Sequence, residues 1–439
     1  MGVNYFLRAT MSDENQEYTE RMTQAQLDAM VDLHARFLAG RLGGRRATLK
    51  NVDLSGLSVS GKDMRQADFT GCRMRRMDMS KANFSEARLY ACDLSDANMS
   101  RCNFARSDLR GARIQSANLE EANLDKADLR VGGFAKDGKY DTGEAVSFRG
   151  ANLSGARLVG SLANNADFSD AIMTGINMTG ADLRNADLQG ADMSGALVAG
   201  AKLQGAQMKA TILTGINMAD ISPLDVDLTE AITDANIGKS VNDLDEPLVK
   251  LIETHRQWVA SAGAEGRQLD LSGYDMRPLE TLKGEKMTAI RAVRARFFGM
   301  NLYKIELQSA VMDQSDFRRC DLEEADLRGS SFKGARFNHA SVRNANFEPL
   351  MFGGGSGSKR FSPCSFENAS LTYADFSGSR MRMANFKGAD LTNANFKGAD
   401  LRECDFTGAI MENINLDDTI TEGAVLPKST SVFKLKDAE

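Results

Sequence analysis

Between Phe366 and Leu426 an apolar side chain returns every five residues: Phe366, Leu371, Phe376, Met381, Phe386, Leu391, Phe396, Leu401, Phe406, Met411 and Leu416. Two positions before almost every central residue stands something small, such as Ala384, Ala389, Ala394 or Ala399. Between them usually sits Asp or Asn, as in Ala389-Asp390-Leu391. A period of five fits neither a helix of 3.6 residues per turn nor a flat strand of period two. A short fixed period marks a repeat architecture, in which each unit buries its apolar side only against its neighbours.

The same phrase holds register from Leu49 to Leu129, resumes at Phe148 and continues to Leu228 and Thr233. Ala163 and Pro223 occupy central positions there, so looser packing is expected at both. The frame slips at Ala235-Asn236-Ile237, then returns from Leu282 to Phe347 and again from Phe366. Two stretches interrupt it, loops at 131–147 and 348–363. Leu129 to Phe148 and Phe347 to Phe366 are equal steps of 19 residues. Ahead of each pair of runs lies a helical pattern. The first carries Leu27, Met30, Val31, His34, Phe37 and Leu38 behind the capping box Thr23-x-x-Gln26, and Gly40 allows a left-handed stop. The second, over 245–263, takes Asp245 as cap and Pro247 in its first turn. Its stripe is Leu248, Leu251, Ile252, His255, Trp258 and Val259, and Gly263 ends it. Each helix is followed by Gly-Arg, at Gly44-Arg45 and Gly266-Arg267. Helix, run, loop, run therefore occurs twice, which reads as an internal duplication.

The phrase Ala-(Asp/Asn)-(Leu/Phe/Met)-x-x resembles that of the pentapeptide-repeat proteins. The resemblance implies an all-β fold, a right-handed quadrilateral β-helix of about 20 residues per coil, with coils stacked ~4.8 Å apart. Two rods, each preceded by a short capping α-helix, follow from the duplication. The expected organisation is a disordered N-terminus over 1–22 and a capping helix plus first β-helix over 23–237. A linker, second capping helix and second β-helix occupy 238–426, and a tail 427–439. The helices are expected to cover the open first coil, whose unpaired backbone would otherwise invite association.

Composition narrows function more than fold. Acidic and basic residues nearly balance, 60 against 54, for a net charge of -6. That favours solubility and speaks against direct nucleic-acid binding. No run of 18 apolar residues suggests a membrane span. The start lacks a signal-peptide core and a myristoylation pattern, and Met11-Ser12-Asp13-Glu14 reads as a more ordinary beginning than Met1. Cys72, Cys92, Cys102, Cys320, Cys364 and Cys404 all fall on the small inward position. There a thiol serves as a slightly larger Ala. The expectation is reduced cysteines and a cytoplasmic location.

Candidate chemistry is sparse. His34 and His255 are duplicated equivalents on the helices. With Phe37 and Trp258 they are read as structural capping residues rather than catalytic or metal-binding ones. His339 lies at an outward position with no evident partner. The Asp and Asn columns recur on every coil, whereas a catalytic site is singular, so they are read as a hydrogen-bonding ladder. Gly353 to Lys359 superficially suggests a phosphate loop, but Arg360 stands where Ser or Thr is required and no βα unit surrounds it. No catalytic, cofactor or metal set is assigned. The candidate interaction surface comprises Arg73, Arg75, Arg76, Lys283, Lys286, Arg291, Arg294 and Arg296, with Phe352 and Lys359 of the second loop. The runs 49–130, 148–237, 271–347 and 366–426 carry net charges of +2, -5, +3 and -5. Each rod thus passes from basic to acidic, which favours head-to-tail docking and self-association. The function read from these features is a non-enzymatic scaffold with a protein partner. The family resemblance supplies a second, a DNA-mimicking modulator of gyrase or topoisomerase.

Overall fold

The computed structural model describes residues 20–136, 139–143, 145–221, 226–352 and 360–427. Its repeating element is one pentapeptide, and Asp68–Cys72 shows how it works. Phe69 and Cys72 are fully buried, as are Ala67 and Met74 on either side. Every N–H of the five has an acceptor. Phe69 and Gly71 donate forward to Arg88 and Tyr90 carbonyls of the next coil, both at 2.8 Å, while Asp68 donates back to Ala47 O at 2.9 Å. Cys72 N–H returns to Phe69 O at 3.0 Å and closes a four-residue turn. Thr70 N–H goes to the Asp68 side chain, Oδ1, at 3.2 Å. Buried backbone donors must be paired, and this arrangement leaves none over. It also explains the residue between the small and central positions. An Asp, Asn or Ser there accepts from the N–H two residues on, as a local side-chain turn does.

The third turn residue has positive φ, +69° at Gly71 but also +56° at Arg76 and +58° at Lys81. A turn with a left-handed third residue favours glycine, and a Cβ there costs roughly 1–2 kcal/mol. The coil-to-coil bonds on both sides hold the conformation regardless.

Parallel bridges join Asp68 to Arg88, Arg73 to Asp93, Asp78 to Asn98 and Asn83 to Asn103. Each coil of 20 residues therefore has four bridged edges, and the fold is a repeat β-solenoid. Central aromatics stack along the core, as in Phe366, Phe386 and Phe406 at 5.1 and 4.9 Å between ring centroids.

The chain divides into two compact units, Met1–Asp234 and Ala235–Glu439. In unit 1, β1 (Glu20–Arg21) precedes α1 (Gln24–Leu38) and pairs in parallel with β2 (Val52–Asp53) on the first coil. Glu20 and Arg21 thus belong to the sheet rather than to an aperiodic N-terminus; residues 1–19 lie outside the described residues. Thr23 and Gln26 form the expected capping box. The first interruption contains an antiparallel hairpin, β3 (Gly133–Lys136) with β4 (Lys139–Thr142). Beyond it, Arg113 bridges Ser147 and Asp128 bridges Leu162, steps of 34 residues, so the chain rejoins the same columns. Ala163 is fully buried; Pro223 lies outside the described residues.

Unit 2 repeats the plan. β5 (Lys239–Ser240) precedes α2 (Leu248–Ala260) and pairs with β6 (Tyr274–Asp275). The helix is shorter than the expected 245–263. Pro247 itself is the N-cap, no side chain caps the helix, and Asp245 is not used. The first coil begins earlier than the period suggested: Asp270 bridges Arg291 and Asp275 bridges Arg296, steps of 21 rather than 20. A single-turn 3-10 helix at Arg277–Leu279 absorbs the extra residue. The second interruption is flanked by β7 (Leu350–Phe352) and β8 (Arg360–Ser362), an antiparallel pair. It does not leave from the same place as the first. Counted from the coils that receive β1 and β5, it emerges one edge earlier, after Asn346 rather than after an equivalent of Asp128.

Candidate interaction surface

Side chains flanking the central residue both point outward, because successive residues alternate across an extended strand. Where they are Asp and Arg they chelate one another. Asp108 with Arg110, Asp182 with Arg184, Asp326 with Arg328 and Asp400 with Arg402 each form a two-point ion pair, with Nε and Nη2 at 2.5–2.9 Å from the carboxylate oxygens. In these pairs the arginine side chain stays 39–53% exposed, so each is individually worth little. One differs. Asp316 and Arg318 meet at 2.6 Å with side chains only 1% and 4% exposed.

Asp316 belongs to a column that both units share. On bridged edges of successive coils, unit 1 reads Asp53, Arg73, Asp93, Arg113, Ser147, Asp167, and unit 2 reads Asp275, Arg296, Asp316, Arg336, Ser370, Asp390. The alternation puts opposite charges beside each other at strand spacing, the favourable cross-strand arrangement. Burial pulls the half-buried Arg296 guanidinium down, against the opposing fields of Asp316 and Asp275. Burial pushes the Asp316 carboxyl up, but Arg318 and Arg336 hold it below the ordinary value of 3.8.

Much of the basic cluster anticipated from sequence takes part in coil-to-coil pairing. Lys286 meets Glu306 at 3.2 Å and Arg291 meets Asp270 at 3.7 Å. Arg75 lies 3.9 Å from Asp93 and 3.5 Å from Asp96, and Arg76 reaches Asp96 at 4.0 Å. Arg73 bridges between Asp53 and Asp93. Lys283 sits over the Tyr303 ring at 5.0 Å, and Arg294 occupies an exposed corner with φ +57°. Lys359 and the Phe352 side chain lie outside the described residues. His339, expected to stand alone, stacks flat on Tyr373 at 4.9 Å.

Each helix histidine lies against the aromatic residue three positions on. His34 stacks on Phe37 at 5.8 Å, and His255 on Trp258 at 5.7 Å. Both imidazoles are buried, and both bond backbone through each nitrogen. Nδ1 accepts from Ala47 N–H at 3.1 Å and Leu269 N–H at 3.0 Å. Nε2 faces the carbonyls of Arg65 at 3.0 Å and Thr288 at 2.8 Å. The Gly-Arg after each helix has a steric reason. A Cβ on Gly44 would fall 2.3 Å from Phe37 N, and one on Gly266 2.2 Å from Thr254 O. Leu27, Val31 and Ile252 of the helices join the cores.

What the sequence did not single out is the apolar surface. Met351 and Phe361 oppose each other on β7 and β8 and are 56% and 53% exposed. Ile410, Ile420 and Val425, on outward columns near the end of unit 2, are about half exposed. A cavity of about 390 Å³ lies between Leu244–Glu246, α2 and Arg267–Asp270. Among the described residues, no group of His, Cys, Asp and Glu is placed to hold a metal ion. No helix among them is long and apolar enough to cross a membrane. All six cysteines are buried and unpaired with one another. Several thiols donate to a carbonyl of the neighbouring coil, as Cys102 does to Ala82 O at 3.0 Å.

Models of pentapeptide repeats match residues 144–215, 293–348 and 360–420, and a pentapeptide repeat region model matches 45–124. The chain belongs to the pentapeptide-repeat family. Solved structures similar to this pentapeptide-repeat chain include QnrB1, a plasmid-mediated fluoroquinolone resistance protein, at 18% identity and TM-score 0.27, covering 49% of this chain and 89% of that one. HetL of the cyanobacterium Nostoc, involved in heterocyst differentiation regulation, matches at 16% identity and TM-score 0.18, covering 93% and 99%. A pentapeptide repeat protein of the Arabidopsis thaliana thylakoid lumen matches at 24% identity and TM-score 0.17, covering 29% and 68%. No curated protein matches the sequence.

Proposed function

We propose that this protein is a non-enzymatic, cytoplasmic scaffold that binds a protein partner through surface outside its ladders. Its two units are read as right-handed, four-sided rods, each closed at its first coil by a capping helix. The observation that carries the reading is the pair Met351 and Phe361, exposed side by side on a hairpin that interrupts an otherwise self-satisfied polar wall. Exposed apolar side chains grouped on a projecting element are a usual mark of a partner contact. The Asp and Asn columns support the same reading, because their side chains serve the backbone of their own repeat.

The second reading, a DNA-mimicking modulator of gyrase or topoisomerase, draws on family kinship and on the acidic runs 148–237 and 366–426. Mimicry requires a continuous negative face, and the alternating Asp–Arg column favours the scaffold instead. Affinity capture from the native lysate, with the intact protein and a Met351→Glu/Phe361→Glu variant, separates the two. A partner retained by the wild type and lost by the variant supports the scaffold. Capture of gyrase or topoisomerase subunits by both proteins, lost as salt rises, transfers the conclusion to mimicry.

A further inference from the structure

The two helix histidines are fixed in one protonation state by what surrounds them. Ala47 and Leu269 present N–H groups to Nδ1, so that nitrogen must be the acceptor. Arg65 and Thr288 present carbonyl oxygens to Nε2, so that nitrogen must carry the proton. Both partners are backbone, and neither can exchange donor for acceptor. A second proton on Nδ1 would set donor against donor inside a buried site. The imidazolium would also lose its bond to the segment entering the first coil. Each imidazole joins three pieces at one point: the helix, the segment that leads from it into the first coil, and the first coil itself.

We propose that His34 and His255 are acid-sensitive latches, holding α1 and α2 on the first coil of their units when neutral and releasing them when protonated. Release bares a coil edge and the apolar core end that Leu27, Val31 and Ile252 cover, which gives acid-treated protein an associating surface. Neighbouring charges modulate the latch without replacing it. At His34, Asp63 on the coil favours the proton and Arg46 on the lead-in opposes it. At His255 the surroundings are the Thr288 and Arg267 backbone, while the helix–coil charges Arg256 and Glu285 pair with each other at 3.4 Å. Burial is the largest influence at both rings and lowers them from 6.5. Such a group favours the docked state fully above the unperturbed value. That preference falls as pH drops from about 6.5 toward the lowered one, by at most about tenfold per pH unit.

Trp258 is the chain's only tryptophan and stacks on His255, so its emission reports the second latch directly. The experiment titrates the full chain from pH 7.5 to 4.5, following tryptophan emission and hydrogen exchange corrected for intrinsic rates. Residues 24–38 and 248–260 are expected to lose protection at least tenfold before the repeats 282–347 lose any, with a parallel change in emission. His255→Gln, which can still donate to Thr288 O but cannot be protonated, is expected to abolish the emission change. Helices that stay protected until the repeats themselves unfold would overturn the proposal, and so would an acid transition unaltered in His255→Gln. The exchange measurement on wild type stands alone if the variant does not fold.

Discussion

Replacing Asp316 with Ala removes one carboxylate and strands the charges around it. Its oxygens receive Arg318 Nη2 at 2.6 Å and Nε at 2.9 Å, and Arg296 and Arg336 flank it on the adjoining coils. With the Arg318 side chain 4% exposed, water cannot replace the lost partner. Removing one member of a buried ion pair costs about 3–5 kcal/mol. The solvated counterpart Asp400, whose partner Arg402 is 40% exposed, should cost no more than about 1 kcal/mol. Urea unfolding followed by Trp258 emission, which resides in the same unit, compares Asp316→Ala with Asp400→Ala directly. Asp316→Ala/Arg318→Ala should be less destabilised than the sum of its single variants, because neither charge is left behind. Acid gives an independent check of sign. The Asp316 carboxyl is held below 3.8 in the fold. Its contribution is therefore complete above that value and disappears as pH falls through the lowered one, so wild type and variant should converge only below pH 4. Equal losses for Asp316→Ala and Asp400→Ala would refute the claim that burial sets the strength of this pair.

Asp390→Ala should cost about 0.5–1.5 kcal/mol and speed exchange of Thr392 N–H, which it accepts at 3.0 Å; Asp390→Asn keeps an acceptor and should restore both. Phe386 stacks on Phe366 and Phe406 with no exposed area, so Phe386→Ala should lose about 3–5 kcal/mol in the same unfolding assay. Burial pushes the thiols of Cys364 and Cys404 up to about 12 and that of Cys72 to about 11. A disulfide reagent at pH 8 should label the native chain hardly at all and all six cysteines once denatured. Fast labelling of the native chain would contradict the inward placement of these thiols.

The solenoid was legible because its instruction is written on every coil: small, polar and central residues recur where the chain needs filler, backbone acceptor and core. The capping box at Thr23 was equally local. Legibility failed where spacing or distance intervened. One extra residue between Asp275 and Thr281 hid the first coil of unit 2, since Leu271 and Met276 no longer matched the period. Pro247 capped a helix by stereochemistry alone, leaving Asp245 a plausible but idle candidate. The acidic neighbours of the basic cluster were hidden for a geometric reason. Residues 20 apart are neighbours here, so Lys286 and Glu306 cancel in space while a count along the chain separates them. Burial of Asp316 with Arg318 could not be told from sequence, because Asp326-Leu327-Arg328 carries the same signature at a site where the side chains are 25% and 39% exposed. The Asp-x-Arg spacing around a central residue was nonetheless a readable sign of pairing.

In Asp68–Cys72, the N–H groups of Phe69 and Gly71 face the following coil and that of Asp68 faces the preceding one. Their carbonyl partners run the opposite way: Asp68 and Thr70 oxygens accept from behind, and Cys72 O accepts from ahead. Peptide dipoles of about 3.5 D therefore fail to cancel by one in each pentapeptide, and the remainders add along the stack. Each solenoid is an electret whose positive pole lies at its C-terminal end, the reverse of an α-helix. The acidic surplus of 148–237 and 366–426 lies toward that pole, and the basic surplus of 49–130 and 271–347 toward the other. Side-chain charge that looks like a docking code along the sequence also neutralises the field of the backbone beneath it.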